Sequence, residues 1–159
     1  MKYFVLLIIA TLASCASPYG PKGINGGYKE TRYSADTVMI YYDGNSSTSP
    51  SRAKDFTTLR AAELCIESGY RYFSVQNSQM DLPSKTFNFP GHATTTGNAY
   101  AIGNSVNYQA TTTYTPPQSV TTYSPKTSMV VKFYREIPKG RSLQDAQMTV
   151  SFLKGKYDL

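Results

Sequence analysis

The chain has 159 residues, a formal charge of +6, fourteen tyrosines, no tryptophan, two cysteines and one histidine. That length supports one domain with a real core. The basic residues are spread along the chain, which argues against a nucleic-acid footprint, and a single histidine with two distant cysteines offers no local set of metal ligands.

Residues 2–14, "KYFVLLIIATLAS", place one cation before an apolar core and then small residues, the layout of a secretory signal. The run is shorter than the roughly 20 apolar residues of a membrane span. Leu12-Ala13-Ser14 leads into Cys15, and these four residues resemble the bacterial lipobox. That resemblance implies cleavage between Ser14 and Cys15, a diacylglycerol on the Cys15 thiol and an acylated new amine. Two or three acyl chains, at about 0.8 kcal/mol per buried CH₂, hold a protein firmly on a bilayer. A Cys15–Cys65 disulfide is the competing use of the sulfur. Lipidation would instead leave Cys65 as an unpaired thiol on a helix. Ala16 and Ser17 follow the cysteine, and the absence of aspartate there favours the outer membrane, facing the periplasm. Loss of residues 1–14 removes Lys2 alone among the charges, so the remaining chain stays basic and suited to acidic envelope surfaces.

Residues 15–27 are rich in Pro and Gly and read as a lipidated flexible tether, with order expected from Tyr28 in a single domain, 28–159. "YKETRYS" and "TVMIYYD" predict an antiparallel hairpin turning at Ala35-Asp36. Gly44–Pro50 is a polar turn into the clearest helix, with Ser49 as cap and Pro50 at its first position. Leu59, Ala62 and Ile66 recur at helical spacing, widened by Ala61, Leu64 and Cys65, and Arg60, Glu63 and Glu67 share the opposite stripe. Gly69 stands where a left-handed residue ends the helix, and "YRYFSV" returns as a strand.

Residues 80–126 form an insertion with much Thr, Tyr, Asn and Gly and almost no charge. Thr and Tyr favour strands, and Gly103-Asn104 offers a tight turn, so the composition predicts a long two-stranded ribbon. "TSMVVKFYREI" predicts a strand with Met129, Val131 and Phe133 on one side. Ser142 is expected to open a last helix, with Asp145 as its capping-box partner, Leu143, Ala146, Val150 and Leu153 along one face and Gly155 as its stop. The fold class expected is α+β: an antiparallel sheet with two helices packed on one side and the Thr/Tyr-rich ribbon inserted.

Gly27-Tyr28, Glu30, Val38, Gly44-Asn45, "RAAEL" (Arg60–Leu64) and "GYRYF" (Gly69–Phe73), together with the lipobox, resemble a family of proteobacterial outer-membrane lipoproteins of unknown function first noted in Caulobacter. The likeness runs over Gly27–Val75 and the final strand and helix, and leaves out Tyr33 and the insertion. It implies a shared envelope domain and brings no activity with it.

Enzymatic chemistry has little support: no Ser–His–Asp or Cys–His pattern surrounds His92, and no cofactor or metal is implied. "DGN" at Asp43–Asn45 begins like a calcium loop, but the following acidic ligands are missing. Glu63 and Glu67 share a helix face, which more often is a solvated stripe than an acid–base pair. Arg60 and Glu63, three apart, pair on a helix surface for a few tenths of a kcal/mol, and a binding role for Arg60 or Glu63 is the alternative to that pairing. Two functions follow. One is a non-catalytic structural or interaction lipoprotein anchored at Cys15, docking an envelope protein through residues 91–117 with Tyr100, Asn104 and Tyr108 as contacts. The other is a periplasmic small-molecule or cell-wall glycan binder, or weak enzyme, using tyrosines and Arg60 about a cleft.

Overall fold

A computed structural model describes residues 18–159, so the signal peptide expected over residues 1–14, cleavage after Ser14 and lipidation of Cys15 lie outside the described residues. The chain separates into two compact units, one containing residues 18–83 and 123–159 and the other Ser84–Thr122.

In the first unit, β1 (Gly27–Arg32) and β2 (Thr37–Asp43) form an antiparallel hairpin. It leads to helix α1 (Pro50–Glu67) and strand β3 (Tyr72–Asp81). Strand β8 (Lys126–Tyr134), the short β9 (Gln144–Asp145) and helix α2 (Ala146–Tyr157) complete the unit. The sheet order is β1-β2-β8-β3-β9 with every neighbour antiparallel. Period-2 alternation sends Val38, Ile40 and Tyr42 to one face with Met129, Val131 and Phe133, and both helices pack there. The class is α+β.

The start of α1 follows its sequence. The Ser49 side chain accepts from the Arg52 N–H, Pro50 opens the helix, and Gly69 takes φ +76 just beyond the Ser68 cap. The buried face is longer than the periodicity suggested, adding Ala53, Phe56 and Thr57, while Ile66 is 39% exposed. Thr57 is a buried polar residue with a partner across the helix–sheet interface. Its hydroxyl donates to the Ala53 carbonyl at 2.8 Å and shares a hydrogen bond with Thr127 of β8. Both buried threonine hydroxyls thereby have protein partners.

Three expectations are corrected. Residues 18–27 are not a free tether: Tyr19 packs on Phe56 and Tyr28 at 5.2 Å between centroids. The Tyr28 N–H donates to the Gly20 carbonyl at 2.8 Å, and the Lys22 N–H to that of Tyr28 at 2.7 Å. Gly27, at φ +118, permits this, since a Cβ there would lie 2.6 Å from the Gly20 oxygen. Secondly, α2 begins at Ala146, not Ser142. Gln144 and Asp145 are held as an edge strand opposite Phe73 and Tyr72, and Asp145 itself is the cap, accepting from the Met148 N–H. Thirdly, α2 runs through Gly155 to Tyr157, because Tyr157 packs edge-on against Phe56 at 4.9 Å and Asp158 ends the helix in the left-handed region.

In the second unit, β4 (Ser84–Phe89) pairs with β7 (Gln118–Tyr123), and β5 (His92–Ile102) pairs antiparallel with β6 (Ser105–Thr115). The β5–β6 turn is Gly103-Asn104, with Gly103 at φ +59.

Candidate functional site

Arg60 and Glu63 come together, but inside a network rather than on an open helix surface. The Arg60 guanidinium donates to Glu30 on β1 and to Glu67, both at 3.0 Å, and to Glu63 at 3.4 Å. The Tyr28 ring lies beneath it, 4.8 Å from guanidinium carbon to centroid. Lys154 of α2 reaches the other Glu63 oxygen at 2.9 Å, and the Tyr19 hydroxyl donates to Glu63 Oε2. The side chains of Arg60 and Glu63 are only 13% and 15% exposed.

The electrostatics follow from this cover. Burial opposes the charged form of Glu63, yet the Tyr19 and Lys154 hydrogen bonds hold its carboxyl below the usual 4.5. Burial also opposes charge on Arg60, and the Glu30 ion pair outweighs it, so Arg60 stays charged. Burial, reinforced by the bond to Glu63, pushes the Tyr19 phenol well above 10. Both Glu63 oxygens are engaged and Tyr19 is fixed as a donor. The cluster therefore fastens β1, α1, α2 and the 18–22 strap together. The Arg60 guanidinium is taken up by Glu30, Glu63, Glu67 and the Tyr28 ring rather than presented free on an open helix face. Sequence reasoning missed the cover because Tyr19 sits in a Pro/Gly-rich stretch.

Cys65 is fully buried, donates to the Tyr72 carbonyl at 3.3 Å, and is a free thiol. Burial pushes it up to about 12, so it is inert as a nucleophile.

The second candidate is the β5–β6 pair. No Asp, Glu, Lys or Arg occurs between Lys85 and Lys126. Residues directly opposite one another share a face. One face of the pair carries only Ala, Gly, Thr, Val and Tyr: the odd positions of β5 from Ala93 to Ala101, opposite the even positions of β6 from Tyr114 to Val106. The other collects His92, Asn98, Asn107 and Gln109, with Tyr100 and Ile102 toward the turn. Tyr108 and Tyr100 thus lie on opposite faces, 66% and 50% exposed, and Asn104 is in the turn. On the apolar face Tyr108 lies over Gly97, where a Cβ would come within 2.7 Å of its hydroxyl. Thr95 and Thr112 are bonded at 2.9 Å. Each strand has one partner and so one open edge. The register separates apolar from amide-bearing positions, a division hard to see in the linear sequence.

A third feature was not read from sequence. On the helix-free face, Lys126 stands between Asp43 and Asp81 across β2-β8-β3, beside a cleft of about 280 Å³ lined also by Met39, Tyr41, Gln79 and Ser128. Asp43 is already paired with Lys22. Asp81 and Lys126 are far apart in the chain, and only the register joins them. Among the described residues, no three His, Cys, Asp or Glu side chains gather as metal ligands, and no helix is long and apolar enough to cross a membrane.

No family model, curated protein or solved structure matches the chain.

Proposed function

We propose that the chain is a non-catalytic envelope lipoprotein, anchored to the outer membrane through Cys15, facing the periplasm, and docking an envelope protein through β5–β6. This reading keeps the likeness to the proteobacterial lipoproteins of unknown function. The observation that carries it is the segregation in β5–β6: an amide-free, charge-free face with Tyr108 and Tyr114 exposed, on a strand pair with open edges. A lone two-stranded hairpin is marginal in water, and unprotected edges invite another strand. A partner that packs on the apolar face and extends the pair by strand addition satisfies both needs. Deletion of residues 91–117 leaves a lipidated protein with the thermal stability of its α+β unit and without its co-purifying partner. Unchanged co-purification contradicts this reading.

The cleft beside Asp43, Lys126 and Asp81 favours a second reading, a binder of small polar molecules or cell-wall glycan fragments, with Tyr41 as a stacking surface. It predicts a thermal shift with muropeptides or sugars that survives removal of residues 91–117 and is lost in Lys126→Ala.

A further inference from the structure

Cys15 precedes Pro18 by three residues, a length of chain that spans at most about 11 Å at 3.3–3.6 Å per residue. Beyond Pro18 the chain is already fastened. The Pro18 carbonyl accepts from the Tyr42 hydroxyl at 3.5 Å, and Tyr19 enters the aromatic cluster of Tyr42, Phe56, Tyr28 and Tyr157. An acyl group on Cys15 therefore holds one end of the α+β unit against the bilayer instead of suspending the unit on a long leash.

That end is identifiable. Tyr42 and Asp43 finish β2, Gly27 opposite Asp43 begins β1, and residues 23–26 turn back just before it. This turn is closed on itself, with Gly23 N–H donating to the Gly26 carbonyl at 2.8 Å and Gly26 N–H returning at 3.3 Å. Ile24 sits at its tip and is fully exposed. The C-terminal Leu159, half exposed, follows Tyr157 on the same aromatic cluster. The closed turn holds this apolar side chain out in water nine residues after the proposed acylation site, where it can bury its surface at the boundary of a bilayer.

We infer that this end of the domain is a membrane-seating surface, with Ile24 inserted at the headgroup level of the bilayer that holds the Cys15 acyl chains. The inference rests on the proposed lipidation. Seating fixes which end of the sheet faces the bilayer and directs the opposite end, beyond Tyr134, toward the aqueous space.

The chain has no tryptophan, so Ile24→Trp supplies a single tryptophan that can be excited apart from the tyrosines, and Ile137→Trp, beyond the far end of β8, supplies the control. Each full-length lipidated variant is reconstituted into vesicles of mixed zwitterionic and anionic phospholipid, with and without brominated acyl chains. The expected result is a blue-shifted emission and several-fold quenching by brominated lipid for the residue-24 probe, and neither for the residue-137 probe. A lipidated, vesicle-bound protein whose residue-24 probe is water-like and unquenched overturns the seating while leaving the anchor standing. An N-terminal peptide whose mass carries no acyl group overturns the anchor, and the seating with it.

Discussion

Two strand-rich regions of this chain are held together in different ways. In the five-stranded sheet every other residue of β2 and β8 disappears beneath α1, so pairing and burial reinforce each other. From residue 84 to 122 not one residue is buried, although nearly all are paired. The ladder there is supported by side-chain pairs such as Thr95–Thr112 and Thr86–Thr121 at 2.9 Å, and by Tyr108 over Gly97. Cross-strand pairs contribute roughly 0.2–1 kcal/mol each, whereas a buried Phe or Leu contributes about 1.5–3. Strand propensity can build a ladder, but a core needs a covering layer. On the docking reading, another molecule supplies that layer to the β5–β6 pair.

Substitutions should separate the regions. The largest effect is expected for Phe56→Ala, which empties the centre of the aromatic cluster and destabilises the α+β unit by about 3–5 kcal/mol. A denaturant midpoint within error of wild type would deny that cluster its role as a second core. Arg60→Met removes the cation that Glu30, Glu63 and Glu67 share and is expected to cost about 2 kcal/mol. Glu63→Gln in the same background should add little, since the two residues belong to one network. Gly27→Ala drives a methyl toward the Gly20 and Pro21 carbonyls at positive φ and should cost about 1–2 kcal/mol. Its mark is local: faster amide exchange at Lys22 and Tyr28, with β2 and β8 still protected.

The pH profile sharpens the same contrast. Glu63 is held below its ordinary 4.5, so its contribution is complete above that pH and is lost as pH falls through the lowered folded value. Tyr19 is raised above 10, so its contribution is complete below pH 10 and fades as pH climbs through the raised folded value. Tyr19→Phe should flatten the alkaline limb of a thermal-stability profile. A limb unchanged in this variant would assign alkaline loss to other groups. The smallest effect on stability is expected from Tyr108→Ala, which should move the melting temperature of the α+β unit hardly at all while weakening recovery of the partner.

Much of the α+β unit was legible because its signals are local. Ser49-Pro50 and Gly69 bracket α1, and the alternation in "TVMIYYD" and "TSMVVKF" marks the core face of two strands. What was not legible depends on contacts distant in the chain. Pro and Gly at residues 18–27 look like a tether until Tyr19 finds Phe56 and Glu63, 37 and 44 positions onward. Gly155 resembles a stop until Tyr157 is needed against Phe56. Arg60 and Glu63 were recognisable as a pair, but their cover comes from residues 19, 28 and 154, so a pair worth tenths of a kcal/mol on an open helix became the clasp of four segments. The cleft row of Asp43, Lys126 and Asp81 exists only once the register is known.

The most direct test of the docking account is photo-crosslinking in living cells, with a benzophenone amino acid at Tyr108 on the apolar face of β5–β6. The same probe at Glu67, on α1, is the control. The account predicts a discrete crosslinked product from Tyr108, identifiable by mass spectrometry and absent from Glu67. A lipidated, normally abundant protein that gives no product at Tyr108, or the same products at both positions, would contradict it.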